Sequence, residues 1–116
     1  MPQNLLIVED NMIIAMDLKE RLEQFGYQVC AIAQTGESAV VMASRAHPDL
    51  ILMDIGLGKG IDGIEAAQLI RNRQPTPVIF VTGNSHLLDD KELYLDKPFD
   101  EQELLSIIKK LIGCPE

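Results

Sequence analysis

The feature that most constrains the fold of this chain is a set of three short, uninterrupted apolar runs. They read LLIV at 5–8, LILM at 50–53 and VIFV at 78–81. A strand with one face in water alternates polar and apolar residues, whereas a strand covered on both faces is apolar throughout. These runs therefore predict the inner strands of a parallel sheet that has helices on both faces.

Amphipathic segments separate the apolar runs, and we predict four helices in them, over 11–25, 36–47, 62–73 and 100–112. In the first of these, Ile14, Leu18, Leu22 and Phe25 fall on one face. Two weaker runs, VCAIA at 29–33 and LYL at 93–95, predict strands nearer the edges of the sheet. Strict alternation of strands and helices indicates an α/β fold with right-handed crossovers.

The connection between the fourth and fifth predicted strands is too short to hold a full crossover helix. Fourteen residues separate Thr82 from Lys97, and they must include the strand at 93–95. We therefore predict a loop with at most a turn or two of helix around Ser85–Asp89, so that the fourth crossover helix is short or absent.

Composition excludes several classes of function. A chain of 116 residues with 47% hydrophobic residues predicts one domain with a real core. A net charge of −8 argues against direct binding to nucleic acid. No apolar run is long enough to span a membrane, and no signal peptide opens the sequence. Two cysteines, Cys30 and Cys114, are too few for a disulfide framework and indicate a cytoplasmic protein with reduced thiols.

A Gly-x-Gly-x-x-Gly triplet at Gly58, Gly60 and Gly63 suggests a dinucleotide-binding turn. Such a site also needs an acid at the end of the next strand, roughly twenty residues further on. No acid lies between Glu65 and Asp89. We therefore interpret the glycines as conformational, allowing a tight turn from strand to helix.

The residues at the strand ends carry the stronger signal. Strand one ends in Glu9-Asp10, strand three in Asp54, strand four in Thr82, and strand five leads into Lys97. The carboxyl ends of parallel strands lie along one edge of the sheet, where ligands bind in open α/β folds. We therefore expect three carboxylates, a hydroxyl and an ammonium group to converge there.

Such a cluster suits phosphoryl transfer. Neighbouring carboxylates repel one another, and Mg²⁺, which prefers oxygen ligands, relieves the repulsion. An aspartate beside Mg²⁺ can attack phosphorus and form an aspartyl-phosphate. The cation, Lys97 and the Thr82 hydroxyl could each neutralise one phosphoryl oxygen.

At this point the chain resembles the receiver domain of bacterial response regulators. The matching segments, in order, are LLIVEDN, LILMDI, DGIEAA, VIFVTG and LDKPF, and they cover the chain from end to end. The resemblance implies one receiver domain over 1–116. It also implies a flavodoxin-like, doubly wound sheet of five parallel strands in the order 2-1-3-4-5.

The resemblance also implies roles for individual residues. Glu9 and Asp10 would hold Mg²⁺ (or Mn²⁺), with Asp54 and the backbone carbonyl of Gly56 completing the metal site. Asp54 would be the phosphoacceptor.

On the other side of the site, the resemblance implies that Lys97 binds the phosphoryl group and that its bond to Pro98 is cis. Thr82 would be the switch hydroxyl, and Tyr94 the aromatic that moves inward when Thr82 closes on the phosphoryl group.

Two departures from the common family pattern stand out. The loop DIGLGKGIDG after strand three is glycine-rich and one residue longer than usual. The fourth crossover is about two helical turns shorter. With the Phe-x-Thr-Gly motif after strand four, these features resemble an alphaproteobacterial-type subset. The family's common output face uses the fourth helix, so we expect the Thr82–Tyr94 switch to work differently here, or hardly at all.

The expected function is that of a single-domain response regulator. It would accept a phosphoryl group from a phosphohistidine on a sensor histidine kinase or a histidine phosphotransfer protein, docked on the first helix, and change its affinity for an unidentified downstream protein. It would catalyse only its own phosphorylation and dephosphorylation, so it would not be an enzyme for an external substrate.

Three alternatives remain open. The chain could be the receiver module of a longer regulator or hybrid kinase. It could be a receiver-like binding module that is never phosphorylated. It could be a haloacid-dehalogenase-type phosphatase, although such an enzyme has a second acid where this chain has Gly56.

Overall fold

The strands form one parallel sheet in the predicted order. The computed structural model describes residues 3–58, 60–83, 88 and 91–114. The order β2-β1-β3-β4-β5 confirms the flavodoxin-like topology, with the two weaker strands at the edges. The strands are β1 (Asn4–Val8), β2 (Gln28–Ala33), β3 (Leu50–Asp54), β4 (Val78–Thr82) and β5 (Leu93–Asp96).

Among the described residues, four helices lie on the two faces of this sheet. They are α1 (Met12–Gln24), α2 (Gly36–Ala46), α3 (Gly63–Arg71) and α4 (Glu101–Ile112), each within one or two residues of its predicted bounds. Each begins after a polar residue whose side chain accepts a hydrogen bond from a backbone N–H of the first turn. These N-caps are Asn11, Thr35, Asp62 and Asp100.

The uninterrupted apolar runs are explained by two cores, one on each face of the sheet. In β1, Leu6 and Val8 join the core beneath α2 and α3. Leu5 and Ile7 join the core beneath α1 and α4. Successive side chains of a strand point to opposite faces, so both sets of positions must be apolar.

The predicted apolar face of α1 is only partly covered. Leu22 is buried, whereas Ile14 and Phe25 are about half exposed. All four predicted residues line a groove of about 250 Å³ between α1 and α4, together with Phe99 and Leu104. Their common face is therefore confirmed, and part of it remains open to solvent.

The connection from β4 to β5 has no helix among its described residues. The predicted helical turn around Ser85–Asp89 falls largely outside the described residues. Leu88 packs against the core beneath α2 and α3. Arg71, at the end of α3, reaches Glu92 at 2.8 Å and lies over the Phe80 ring at 5.7 Å, so α3 is tied to the start of β5.

No helix in the described part of the chain is both long and apolar enough to cross a bilayer.

Candidate functional site

Strand register brings the predicted residues together at one edge of the sheet. Val8 of β1 is level with Met53 of β3, so Glu9 and Asp54 follow at the same height. Asp54 is level with Val81 of β4, and Thr82 is level with Asp96 of β5, the residue before Lys97. Parallel pairing thus places the ends of four strands side by side.

Three carboxylates form the centre of this edge. Glu9, Asp10 and Asp54 each offer an oxygen, and these oxygens all lie within 4.8 Å of one another. Glu9 and Asp54 are buried, and Asp10 is exposed. A set of hard oxygen donors open to solvent on one side fits Mg²⁺, which binds one or two carboxylates and keeps several waters.

Burial raises the pKa of Glu9 to about 7. The nearby Asp10 and Asp54 also raise it, whereas the backbone N–H of Asn11 and the ammonium of Lys97 lower it. The Asn11 N–H donates to Glu9 Oε2 at 3.1 Å, and Lys97 Nζ lies 3.9 Å from Glu9 Oε1. Desolvation therefore outweighs the two favourable contacts in the metal-free protein.

This shift predicts a pH dependence of stability. The pKa of Glu9 rises from 4.5 to about 7 on folding, so the folded chain binds more protons between these values. The favourable contribution of Glu9 to the free energy of unfolding is therefore complete below about pH 4.5 and is lost as the pH rises through 7. We therefore expect Glu9→Gln, without Mg²⁺, to raise the melting temperature at pH 8 and to change it much less at pH 5.

The matched control for Glu9→Gln is Glu20→Gln, since Glu20 is exposed on α1. Thermal unfolding of both variants in EDTA at the two pH values makes the comparison. An equal effect of Glu9→Gln at pH 5 and pH 8 would contradict the assigned titration.

Asp54 is held on both of its carboxylate oxygens. The backbone N–H of Gly56 donates to Oδ1 at 3.0 Å, and Lys97 Nζ donates to Oδ2 at 3.3 Å. Only 7% of the residue is exposed. The carboxylate therefore has a defined orientation at the floor of an open cavity of about 390 Å³, which Gly83 also lines.

Lys97 and Thr82 are joined through the backbone. The N–H of Lys97 donates to the carbonyl oxygen of Thr82 at 2.8 Å. The Lys97–Pro98 bond is cis, as the resemblance implied. Thr82 is 4% exposed at the end of β4 and lines the same cavity as Asp54. Both residues therefore stand beside the carboxylate cluster.

Tyr94 does not lie in the cluster in this structure. It is on the edge strand β5, and 40% of it is exposed. It lines a surface depression with Asp96, Glu103 and Ile107 and is not among the residues that line the cavity at Asp54. Of the predicted site residues, it is the one that the structure leaves outside the site.

The described parts of the glycine-rich loop, 55–58 and 60–62, lie along this edge. Gly58 and Gly60 adopt positive φ angles of 47° and 75°, which confirms their conformational role. A Cβ on Gly58 would lie 3.3 Å from Asp10 Oδ2, and a Cβ on Gly60 would lie 2.5 Å from both carboxylate oxygens of Glu37. The loop therefore touches an acid of the cluster at one point and α2 at another.

Sequence reasoning did not single out Glu37. Its side chain crosses from the first turn of α2 and accepts a hydrogen bond from the Ile61 N–H at 3.1 Å. The available signal was its position, since an acid in the first turn after β2 lies at the same edge of the sheet as the cluster. Nothing in the sequence indicated that it would reach the loop.

Residues 5–109 match the family model described as the response regulator receiver domain. This chain belongs to that family. Receiver domains are signalling modules rather than conventional enzymes, and the order of strands and helices agrees with that membership.

The chain is similar in sequence to part of two curated regulatory proteins. It is 34% identical to the transcriptional regulatory protein PdtaR of Mycobacterium tuberculosis, over 97% of this chain and 58% of that protein. It is 32% identical to the phyllosphere-induced regulator PhyR of Methylorubrum extorquens, over 97% of this chain and 44% of that protein. The chain thus spans about half the length of these relatives.

Solved structures of receiver-containing proteins have the same fold as this chain. The receiver resembles the solution structure of the PhyR receiver domain of Erythrobacter litoralis with a TM-score of 0.87 and 31% identity, covering 96% of this chain and 90% of that one. It also resembles the anti-anti-sigma factor PhyR of Bartonella quintana, with a TM-score of 0.85 and 34% identity, covering 97% of this chain and 48% of that one.

Proposed function

We propose that this receiver is a phosphoacceptor, and that Asp54 takes a phosphoryl group from a phosphohistidine of a sensor histidine kinase or a histidine phosphotransfer protein. The observation that carries the proposal is the setting of Asp54. Its carboxylate is buried, held between the Gly56 N–H and Lys97, and within 4.8 Å of two further acids. The resulting change in affinity for a downstream protein would be the signal.

The transfer forms one bond and breaks one bond. A carboxylate oxygen of Asp54 bonds to phosphorus as the bond between phosphorus and the donor imidazole nitrogen breaks, and that nitrogen keeps the electron pair. Lys97 Nζ, 3.3 Å from Oδ2, is placed to pair with a phosphoryl oxygen once the group is attached. Positioned charges of this kind are most of what phosphoryl transfer requires.

Glu9, Asp10, Asp54 and the carbonyl of Gly56 are the residues that would hold Mg²⁺ or Mn²⁺. When bound, the cation supplies positive charge that offsets the clustered acids and the incoming phosphoryl oxygens. The protein contributes a buried pair of acids and an exposed one, so that exchangeable water can reach the site from the side of Asp10.

Thr82 and Tyr94 would form the switch. Phosphorylation adds up to two negative charges beside the cluster, and the Thr82 hydroxyl would turn toward a phosphoryl oxygen. Tyr94 starts from an exposed position on β5, so it would have to move inward to follow Thr82.

The first two turns of α1 are the proposed docking surface for the phosphoryl donor. Met12, Ile13, Ile14 and Met16 are all exposed, Ile13 to 81%. They follow Asp10 and Asn11 along the chain, and Ile14 lines the same cavity as Asp54, so this apolar surface lies next to the proposed acceptor. Contiguous exposed apolar groups on a protein surface commonly mark interaction sites.

The proposal is tested by incubating the protein with acetyl phosphate and Mg²⁺ and measuring its intact mass. We expect an increase of one phosphoryl group, absent when EDTA replaces Mg²⁺. If no adduct forms where a control receiver is labelled, the chain is a binding module that is not phosphorylated.

Mg²⁺ is expected to stabilise the folded receiver, because only the folded chain brings the acids together. Concentrations of ten to a hundred times Kd would add about 1–3 kcal/mol to the free energy of unfolding. Asp10→Ala is expected to remove most of this gain, and Glu20→Ala, which deletes an exposed acid on α1, to retain it. Equal Mg²⁺ shifts in melting temperature for the two variants would rule out Asp10 as a ligand.

A further inference from the structure

The loop between β3 and α3 connects the acid cluster with the first turn of α2. At one end it begins at Asp54 and Gly56, and Gly58 passes beside Asp10. At the other end Gly60 and Ile61 lie against α2. The described parts of the loop, 55–58 and 60–62, thus contact the acid cluster at one end and α2 at the other.

Glu37 is the side chain that contacts the β3–α3 loop at Gly60 and Ile61. Its Oε2 accepts the Ile61 N–H at 3.1 Å. Its carboxylate also occupies the space that a Cβ would need at Gly60, where both oxygens would be 2.5 Å away. The contact is therefore compatible with glycine at position 60 and with hardly any other residue.

Gly36, the residue before Glu37, also packs closely against the loop. Gly36 is buried, and a Cβ there would lie 2.5 Å from Ile61 Cγ1 and 2.8 Å from the Ile61 carbonyl oxygen. The loop backbone thus rests directly on the first residue of α2, and Glu37 ties it down from the side. Two neighbouring residues of α2 act on the same point of the loop.

We propose that Glu37 is a positioning residue for the metal site, holding the β3–α3 loop so that Gly56 is placed to receive Mg²⁺ beside Asp10. This inference rests on the proposed function, in which those residues hold the cation. Glu37 itself does not touch the three clustered acids; it acts through the loop backbone.

The expected effect is on metal affinity more than on chemistry. A loop ordered before the cation arrives loses less conformational entropy on binding than a loop that must be ordered by it. Without Glu37 part of that ordering cost is added to Mg²⁺ binding. At saturating Mg²⁺ the site is assembled in either case, so the maximal rate of labelling should change little.

The test is a Mg²⁺ titration of the full chain without a phosphoryl donor, followed by amide NMR shifts or calorimetry. Glu37→Ala is expected to raise the Kd for Mg²⁺ roughly three- to tenfold, the size associated with one intramolecular hydrogen bond. Glu37→Gln keeps an acceptor oxygen for the Ile61 N–H and is expected to restore the wild-type Kd to within about twofold.

The glutamine variant separates position from charge. Removing a negative charge near a cation site can by itself weaken Mg²⁺ binding. If charge were the cause, Glu37→Gln and Glu37→Ala would have the same Kd for Mg²⁺. Glu65→Ala is the matched control, because Glu65 is likewise an exposed acid in the first turn of the next helix, α3. Equal Kd values for Glu37→Gln and Glu37→Ala, or an equal rise in Glu65→Ala, would overturn the positioning role.

The failure of this inference is distinguishable from failure of the proposed function. If the wild type binds Mg²⁺ and is labelled on Asp54 but Glu37→Ala binds Mg²⁺ with the wild-type Kd, only the role of Glu37 is wrong. If the wild type binds Mg²⁺ but is never labelled, the proposal of a phosphoacceptor is wrong. The Kd values of the Glu37 variants then still test the positioning role. A wild type that binds no Mg²⁺ overturns both.

Discussion

Asp54→Asn is expected to abolish phosphoryl labelling of this receiver by acetyl phosphate. The amide has nearly the shape of the carboxylate, so it can still accept the Gly56 N–H and lie beside Lys97. It lacks the anionic oxygen that would attack phosphorus, and the other acids of the cluster, Glu9 and Asp10, are proposed to hold Mg²⁺ instead. The measurement is intact mass after incubation with Mg²⁺, with tryptic mapping of any adduct.

The control for Asp54→Asn is Asp96→Asn, an aspartate that also ends a strand of the sheet but is exposed on β5. That variant is expected to label like the wild type. An adduct of undiminished yield on Asp54→Asn would mean that another residue accepts the phosphoryl group. Asp10 would then be the first candidate, as the exposed acid of the cluster.

Gly63→Ala is expected to destabilise the fold strongly, although alanine is the better helix former. A Cβ on Gly63 would collide with the carbonyl oxygen of Asp54 and lie 2.9 Å from the Cα of Ile55, both of them backbone atoms. The Gly63 N–H also donates to the Ile55 carbonyl at 3.2 Å, so the helix cannot retreat without losing this bond. Overpacking of this kind costs about 2–3 kcal/mol.

This cost would lower the melting temperature by roughly 10 °C for a domain of this size. Thermal unfolding of Gly63→Ala is compared with that of Gly83→Ala, since no atom of the residues that the structure describes lies within 4 Å of a Cβ at Gly83. On helix propensity alone Gly63→Ala would gain about 1 kcal/mol. A melting temperature equal to or above that of the wild type would show that the backbone of Asp54 and Ile55 yields easily.

The strands and helices could be predicted because their signals are local. The run at 50–53 is apolar at every position because both faces of β3 are covered, and Asp100 and Gly113 mark the two ends of α4. The convergence of Glu9, Asp54 and Lys97 also followed from the sequence, because the ends of parallel strands share an edge in any fold of this class. The roles of these residues came from the family resemblance and stay predictions.

Only the tertiary structure determined the burial of individual residues at this edge of the sheet and the distances between the segments around it. The pKa of Glu9 depends on how much chain covers it, and the exposure of Ile14 on how far α1 stands from α4. The reach of Glu37 to Ile61 and the approach of Gly63 to Asp54 are likewise distances between separate segments. Hydrophobic periodicity records which face of an element is buried, but it carries no information on the separation of two elements or on which side chain crosses between them.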